Sequence, residues 1–273
     1  INSDGTLNGA NKELTITGNL VVNGALTGDK AVFMTGTNAT IDGSGSINNK
    51  KQLKLKDGDK TILSTAELVR NNGEIKLFDG ITVTNNGTIT ASKNIVGDNS
   101  SCEWVNAANA TVNVGKNIMS TGKLDCSAAG NTVTYYKSGN QNIKTPESNI
   151  YHHLKLNGTG TKELQDDITV KGDVRIESSV LTFNSSNFNM TLEGDWYNFG
   201  SFTEGSGSVT FSGTSDQSIS HVLLEETFYN LTVNKSSGNL NLLSDVVISN
   251  DLTMTSGNIV TSDKTITLGT STG

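Results

Sequence analysis

Apolar and polar residues alternate in short runs along nearly the whole chain. VFM (Val32 to Met34), LKL (Leu53 to Leu55), TITA (Thr88 to Ala91), TVTY (Thr132 to Tyr135), SVTF (Ser208 to Phe211) and TITL (Thr265 to Leu268) share one rhythm. A period of two marks a β-strand that buries one face. Between the runs stand Gly, Asn, Ser and Asp, the residues of turns. From Trp196 to Leu268 the alternation predicts one short strand every seven or eight residues. One segment is ambiguous: STAELVR (Ser64 to Arg70) reads either as a capped helical turn, with Ser64 as N-cap and Glu67 three residues on, or as a turn and strand.

The chain also repeats itself. TVTYYKSGNQNI (Thr132 to Ile143) returns as SVTFSGTSDQSI (Ser208 to Ile219), 76 residues later. LQDDITVKGDVRI (Leu164 to Ile176) returns as LLSDVVISNDLTM (Leu242 to Met254), and NMTLEG (Asn189 to Gly194) as TITLGT (Thr265 to Thr270). We divide the chain into residues 1–110, which share the idiom but not the register, a first repeat at 111–188 and a second at 189–268. In the first part Gly24, Gly45, Gly73 and Gly87 each precede an apolar alternation, and Gly45 and Gly87 are separated by twice 21 residues.

A long period of short strands predicts a solenoid. Three strands of seven or eight residues give a turn of 21–23, so the expected fold is all-β, a right-handed parallel β-helix. Roughly 12–13 turns at the ~4.8 Å strand spacing would make a rod on the order of 60 Å long. Each turn needs a similarly spaced turn on either side to bury its apolar face, so repetition is itself stabilising. Tandem β-sandwich modules are the alternative. Composition favours the helix. Hydrophobic residues are 34% of the chain, aromatics 5%, and there is one proline, Pro146. A narrow aliphatic core, Gly and Asn at corners with φ > 0, and strands that need every N–H fit those values.

The net charge of −7 argues against nucleic acid and anionic membrane as main partners. The one basic cluster, Lys50, Lys51, Lys54, Lys56 and Lys60, contains Asp57 and Asp59 and reads as a solvated face. No run approaches the ~20 apolar residues of a membrane helix, so no direct membrane insertion is expected. No signal peptide is visible, and the first residue is Ile1. The repeat breaks off in mid-phrase at TITLGTSTG, so we expect the protein to continue beyond Gly273. Cys102 and Cys126 are either a disulfide or two buried thiols.

SVTFSGTSDQSIS, FYNLTVNKSSG, LLSDVVISNDLTMTSGNI and DWYNFGSFTEGSGSVTF resemble the repeats of large secreted surface proteins of the Bacteroidota. The resemblance covers residues 111–273 and, more distantly, extends to the stalks of autotransporter and filamentous haemagglutinin adhesins. It implies export through the outer membrane, by a type IX route, and an adhesive cell-surface role. The C-terminal sorting domain usual in such proteins has no counterpart here.

Candidate chemistry is sparse. Asp166 with Asp167 and Glu225 with Glu226 are vicinal and point apart on a strand, while Asp57 with Asp59 lies in a turn suited at most to weak cation binding. His152, His153 and His221 read as rim residues, the first two directed oppositely. No phosphate loop, nucleophile elbow or zinc-protease motif is present. Thr-x-Thr runs at 15–17, 82–84, 88–90, 132–134 and 265–267 suggest an ice-binding face but fall out of register by sequence. Aromatics that could stack on sugars are Tyr135, Tyr136 and Tyr197, whereas Trp196 sits at a core phase, matching Ile118. The reading that results is an extracellular structural or adhesive segment without catalytic residues, metal or cofactor. Its partners would be the rest of its own chain and surface glycans or proteins. A polysaccharide lyase or hydrolase and an ice-binding solenoid are the alternatives.

Overall fold

The computed structural model describes residues 1–180, 182–222 and 225–269, and the regular elements among them are all β-strands. The strands pair in parallel across successive turns, three to a turn, which makes the chain an all-β solenoid. A tandem sandwich, built on antiparallel hairpins, is thereby excluded. The chain divides into two compact units, Ile1–Lys137 with Pro146–Ser148, and Ser138–Thr145 with Asn149–Gly273. That division falls inside the first sequence repeat.

Unit 1 has three sheets. The first runs through Thr6–Asn8, Ala25–Thr27, Ser46–Ile47, Glu67–Arg70, Thr88–Ala91, Thr111–Val114 and Thr132–Tyr135. The second holds Leu14–Ile16, Val32–Met34, Leu53–Leu55, Ile75–Leu77 and Ile95–Gly97. The third holds Leu20–Val21, Ala39–Asp42, Lys60–Ile62, Thr82–Asn85, Glu103–Asn106 and Lys123–Asp125. The 21-residue step is the turn itself: Ala25 pairs with Ser46, Glu67 with Thr88, and Thr111 with Thr132. Gly24, Gly45 and Gly87 all stand just before first-sheet strands, whereas Gly73 occupies a different corner. A Cβ on Gly45 would fall 2.1 Å from the Gly24 carbonyl oxygen, so this corner admits no side chain.

STAELVR resolves as turn and strand. The Ala66 N–H donates to the Leu63 carbonyl at 3.0 Å, and Leu68 pairs with Ile89 in the first sheet. A helical turn would remove Leu68 and Arg70, both buried, from the column they fill.

Unit 2 stacks its strands in three ladders. The first contains Ile150–Tyr151, Ile168–Val170, Met190–Leu192, Ser208–Phe211 and residues 230–233 and 251–254. The second contains His153–Leu156, Val174–Ile176, Trp196–Asn198, Gln217–His221 and residues 240–242. The third contains Gln141–Asn142, Thr161–Glu163, Thr182–Asn184 and Phe202–Thr203. Residues 246–248, between 226–228 and Ile266–Leu268, take the corresponding third place in their turn.

The long repeat does not map onto whole turns. Ile168–Val170 lies in the first ladder, but its echo at 246–248 takes the third place. Val174–Ile176 lies in the second ladder, and its echo at 252–254 in the first. The echo comes eleven strands on, three turns and two strands, so the copy moves round to another face. Stacked neighbours are therefore different phrases that share an alternation.

The abundance of Asn and Asp has a cause beyond turn geometry. Side-chain oxygens of these residues accept backbone N–H bonds one turn further on: Asn19 from Thr40 (2.9 Å), Asp59 from Thr82 (2.8 Å), Asn140 from Thr161 (3.1 Å), Asp195 from Ser218 (2.7 Å) and Asp216 from Asn239 (2.8 Å). These bonds satisfy strand-start donors that the ladders leave open. Asn85, Asn106 and Asn131 act in the other direction inside unit 1, their side-chain Nδ2 groups donating to backbone carbonyls such as those of Thr111, Thr132 and Cys126. They are fully buried and stacked, with Asn85 Nδ2 donating to Asn106 Oδ1 (2.8 Å) and Asn106 Nδ2 to Asn131 Oδ1 (3.3 Å).

Candidate binding face

The predicted site residues fare unequally. Cys102 and Cys126 are buried thiols that form no disulfide. The register Glu103↔Lys123 to Val105↔Asp125 puts them one step beyond opposite ends of the paired segment. Four strand residues, about 13 Å, then separate them along the strand direction, beyond the ~7 Å that a disulfide can bridge. Burial pushes the Cys126 thiol well above its ordinary pKa. Tyr135 is fully buried and is withdrawn as a sugar contact. Tyr136 and Tyr197 are half-buried and lie in different units. The Tyr197 hydroxyl donates to Asp195 Oδ2 at 2.7 Å, and that bond raises its pKa to about 12. Tyr197 stands in register with Arg175, whose guanidinium lies 4.4 Å from the Phe199 ring centre and bonds Glu177 at 2.9 Å.

His152 and His153 are not directed oppositely. The strand breaks between Tyr151 and His153, and at that corner the two rings pack edge to face with centres 4.4 Å apart. His153 Nδ1 accepts the Asp173 N–H at 2.9 Å, and burial followed by the charge of His153 lowers the His152 pKa. Glu225 and Glu226 do part: Glu225 is exposed, and Glu226 is buried at 2% exposure. Among the described residues no group of three or more His, Cys, Asp or Glu is placed to hold a metal ion.

The lysine cluster departs most from expectation. Lys60 is buried, and its ammonium donates to the carbonyls of Lys56 (2.8 Å) and Gly58, filling the corner where Asp57 and Asp59 suggested a cation. Lys162 and Lys235 plug corners in unit 2 the same way, on Thr159 O (2.8 Å) and on Gly213 O and Ser215 O (both 2.8 Å).

Lys54, by contrast, faces outward from the second sheet of unit 1, between buried Leu53 and Leu55. Its neighbours in register are Phe33 on one side and Lys76 on the other. The Lys54 ammonium lies 4.7 Å from the Phe33 ring centre and 5.8 Å from that of Phe78, and Lys76 lies 5.1 Å from Phe78. Beside this row a cleft of about 560 Å³ is lined by Lys30, Lys50, Lys51, Lys54, Glu13 and Glu74, among others. Lys50 pairs with Asp29 at 2.8 Å. Glu74 accepts from Asn94 Nδ2 (2.6 Å) and Gln52 Nε2 (3.0 Å), and the Asn94 bond foremost holds its carboxyl below the usual range. Lys30, Lys51, Lys54 and Lys76 form no ion pair among the described residues. Phe33 and Phe78 carry no site reading in the sequence, yet each stands at the polar phase of an alternating run, which was the available signal.

The Thr-x-Thr runs also come together in part. Thr88, Thr111 and Thr132 are in register on three successive turns, and Thr90, Asn113 and Thr134 form a second column beside them. The middle turn carries Asn where the motif asks for Thr, which hid the ladder from the sequence pattern. In comparisons with known proteins, no family model matches this chain, and no curated protein or solved structure matches it either.

Proposed function

We propose that the chain is a structural and adhesive segment of a bacterial cell-surface protein, of the kind that the resemblance to Bacteroidota repeats implies. In this reading the solenoid is a scaffold, exported to the cell exterior, and its outward strand positions bind surface glycans or proteins without catalysis. The supporting observation is the Phe33–Lys54–Lys76–Phe78 row, an outward column where aromatic rings stand beside lysines that form no ion pair among the described residues. Open rows of this kind suit extended polymers better than small metabolites, which need enclosure. Incubating the protein with a panel of polysaccharides, recording both retention and released products, tests the reading. Retention without products is expected. Released oligosaccharides overturn it in favour of a lyase or hydrolase, and absence of retention removes the glycan-binding role.

A second reading, ice binding, is favoured by the in-register Thr88, Thr111 and Thr132 column. Thermal hysteresis measured in dilute solution decides for or against it.

A further inference from the structure

We infer that the lysine–phenylalanine row of unit 1 is a site for an acidic polysaccharide, a polymer carrying carboxylate or sulfate on its sugar units, laid across the strands. The inference rests on the adhesive reading above and narrows its ligand class. Lys54 and Lys76 are directly opposite on adjacent strands. Like charges so placed repel at the ~4.8 Å strand spacing, and neither lysine forms an ion pair among the described residues, although the Glu74 charge acts on Lys76. An anion over the pair removes that repulsion. Lys30 and Lys51 extend the positive lining into the adjoining cleft. Its two acids are Glu13, which is exposed, and Glu74, which is held by two amides; Asp29 pairs with Lys50. The floor is closely packed backbone: a Cβ on Gly73 would collide with the Lys51 carbonyl, so this corner admits no side chain. Phe33 and Phe78 offer ring surface to the apolar face of a sugar, which a purely ionic site lacks. The protein is otherwise acidic, at −7, so a duplex nucleic acid would meet repulsion outside this row.

The test uses the full chain and measures binding to polygalacturonate, chondroitin sulfate, dextran and duplex DNA. The Lys54→Gln/Lys76→Gln double variant is compared with Lys155→Gln, which alters a unit 2 lysine paired with Glu177. Expected is binding to the two acidic glycans that weakens with salt, falls about tenfold or more in the double variant and is unchanged in Lys155→Gln. Binding to dextran but not to the acidic glycans overturns this inference while leaving the adhesive reading intact. Equal binding of DNA, or loss in both variants, overturns the site as a glycan site. Binding to no glycan overturns both.

Discussion

The two tryptophans, one in each unit, are both fully buried at inward strand positions, and their surroundings differ. Trp104 lies in the third sheet of unit 1, two residues before Asn106 of the asparagine ladder, and its Nε1 has no hydrogen-bond partner among the described residues. Trp196 lies in an aromatic stack of unit 2, edge to face with Phe202 (4.9 Å between centres) and Phe228 (5.5 Å). Its Nε1 donates to Glu226 Oε2 at 2.9 Å, as does Asn198 Nδ2. Beside Trp104 the buried polar groups are neutral amides that satisfy one another. Beside Trp196 the buried polar group is a carboxylate that depends on its donors. An unpaired neutral N–H is a modest cost, whereas a buried carboxylate stripped of a donor is a large one.

The largest effect therefore belongs to Trp196→Phe. It loses ring volume and orphans one bond to a buried carboxylate, and urea unfolding should show a loss of about 3 kcal/mol. Asn106→Leu comes next. It removes the acceptor of Asn85 and the donor to Asn131, and should cost about 2 kcal/mol by the same assay. Trp104→Phe removes an N–H that has no partner, leaving only the lost volume, so a cost of about 1 kcal/mol is expected. Equal costs for the two Trp→Phe variants would erase the distinction between the units.

Glu226→Gln sharpens the comparison through pH. Burial raises the Glu226 pKa above 4.5, against the Trp196 and Asn198 bonds and the nearby His221, whose Nδ1 lies 3.8 Å from Oε2. A raised acid binds its proton more tightly when folded. Its contribution is fully present below the unfolded pKa near 4.5 and is lost as pH rises through the folded value. The variant should match the wild type at pH 4, gain on it as pH rises towards the folded pKa and hold a constant lead above that, read as a difference in urea midpoints. The smallest effect is a null one: reductant should leave the unfolding midpoint unchanged, and both thiols should resist alkylation until the protein unfolds, because they form no disulfide and both are buried.

Much of the scaffold was legible because burial imposes a period of two on every strand. Val83, Ile89 and Val112 could be assigned inward from their neighbours alone, and the turn length followed from glycines that share a corner. The basic cluster hid the difference between Lys54 and Lys60. Lys54 lies between inward Leu53 and Leu55, whereas Lys60 shares the inward phase of Ile62 and is held there by the Lys56 and Gly58 carbonyls. Asn106 and Asn131 were invisible as a ladder for a related reason: 25 residues separate them, and only the fold makes them neighbours. The binding row was half legible. Its lysines stood out as a cluster, while Lys76, Phe33 and Phe78 came from other turns. No local motif marks residues that meet only by stacking.

The eleven-strand offset between the copies has a consequence for how such a chain changes length. If a duplicated segment can settle with its phrases rotated onto another side, the three sides are interchangeable as far as packing is concerned. The increment of growth is then one strand and its corner, seven or eight residues, rather than one full coil. Insertions and deletions of that size would rotate everything downstream by a third of a revolution without exposing the core. A surface column could in this way be re-aimed by events far from it in the chain, with none of its own residues altered.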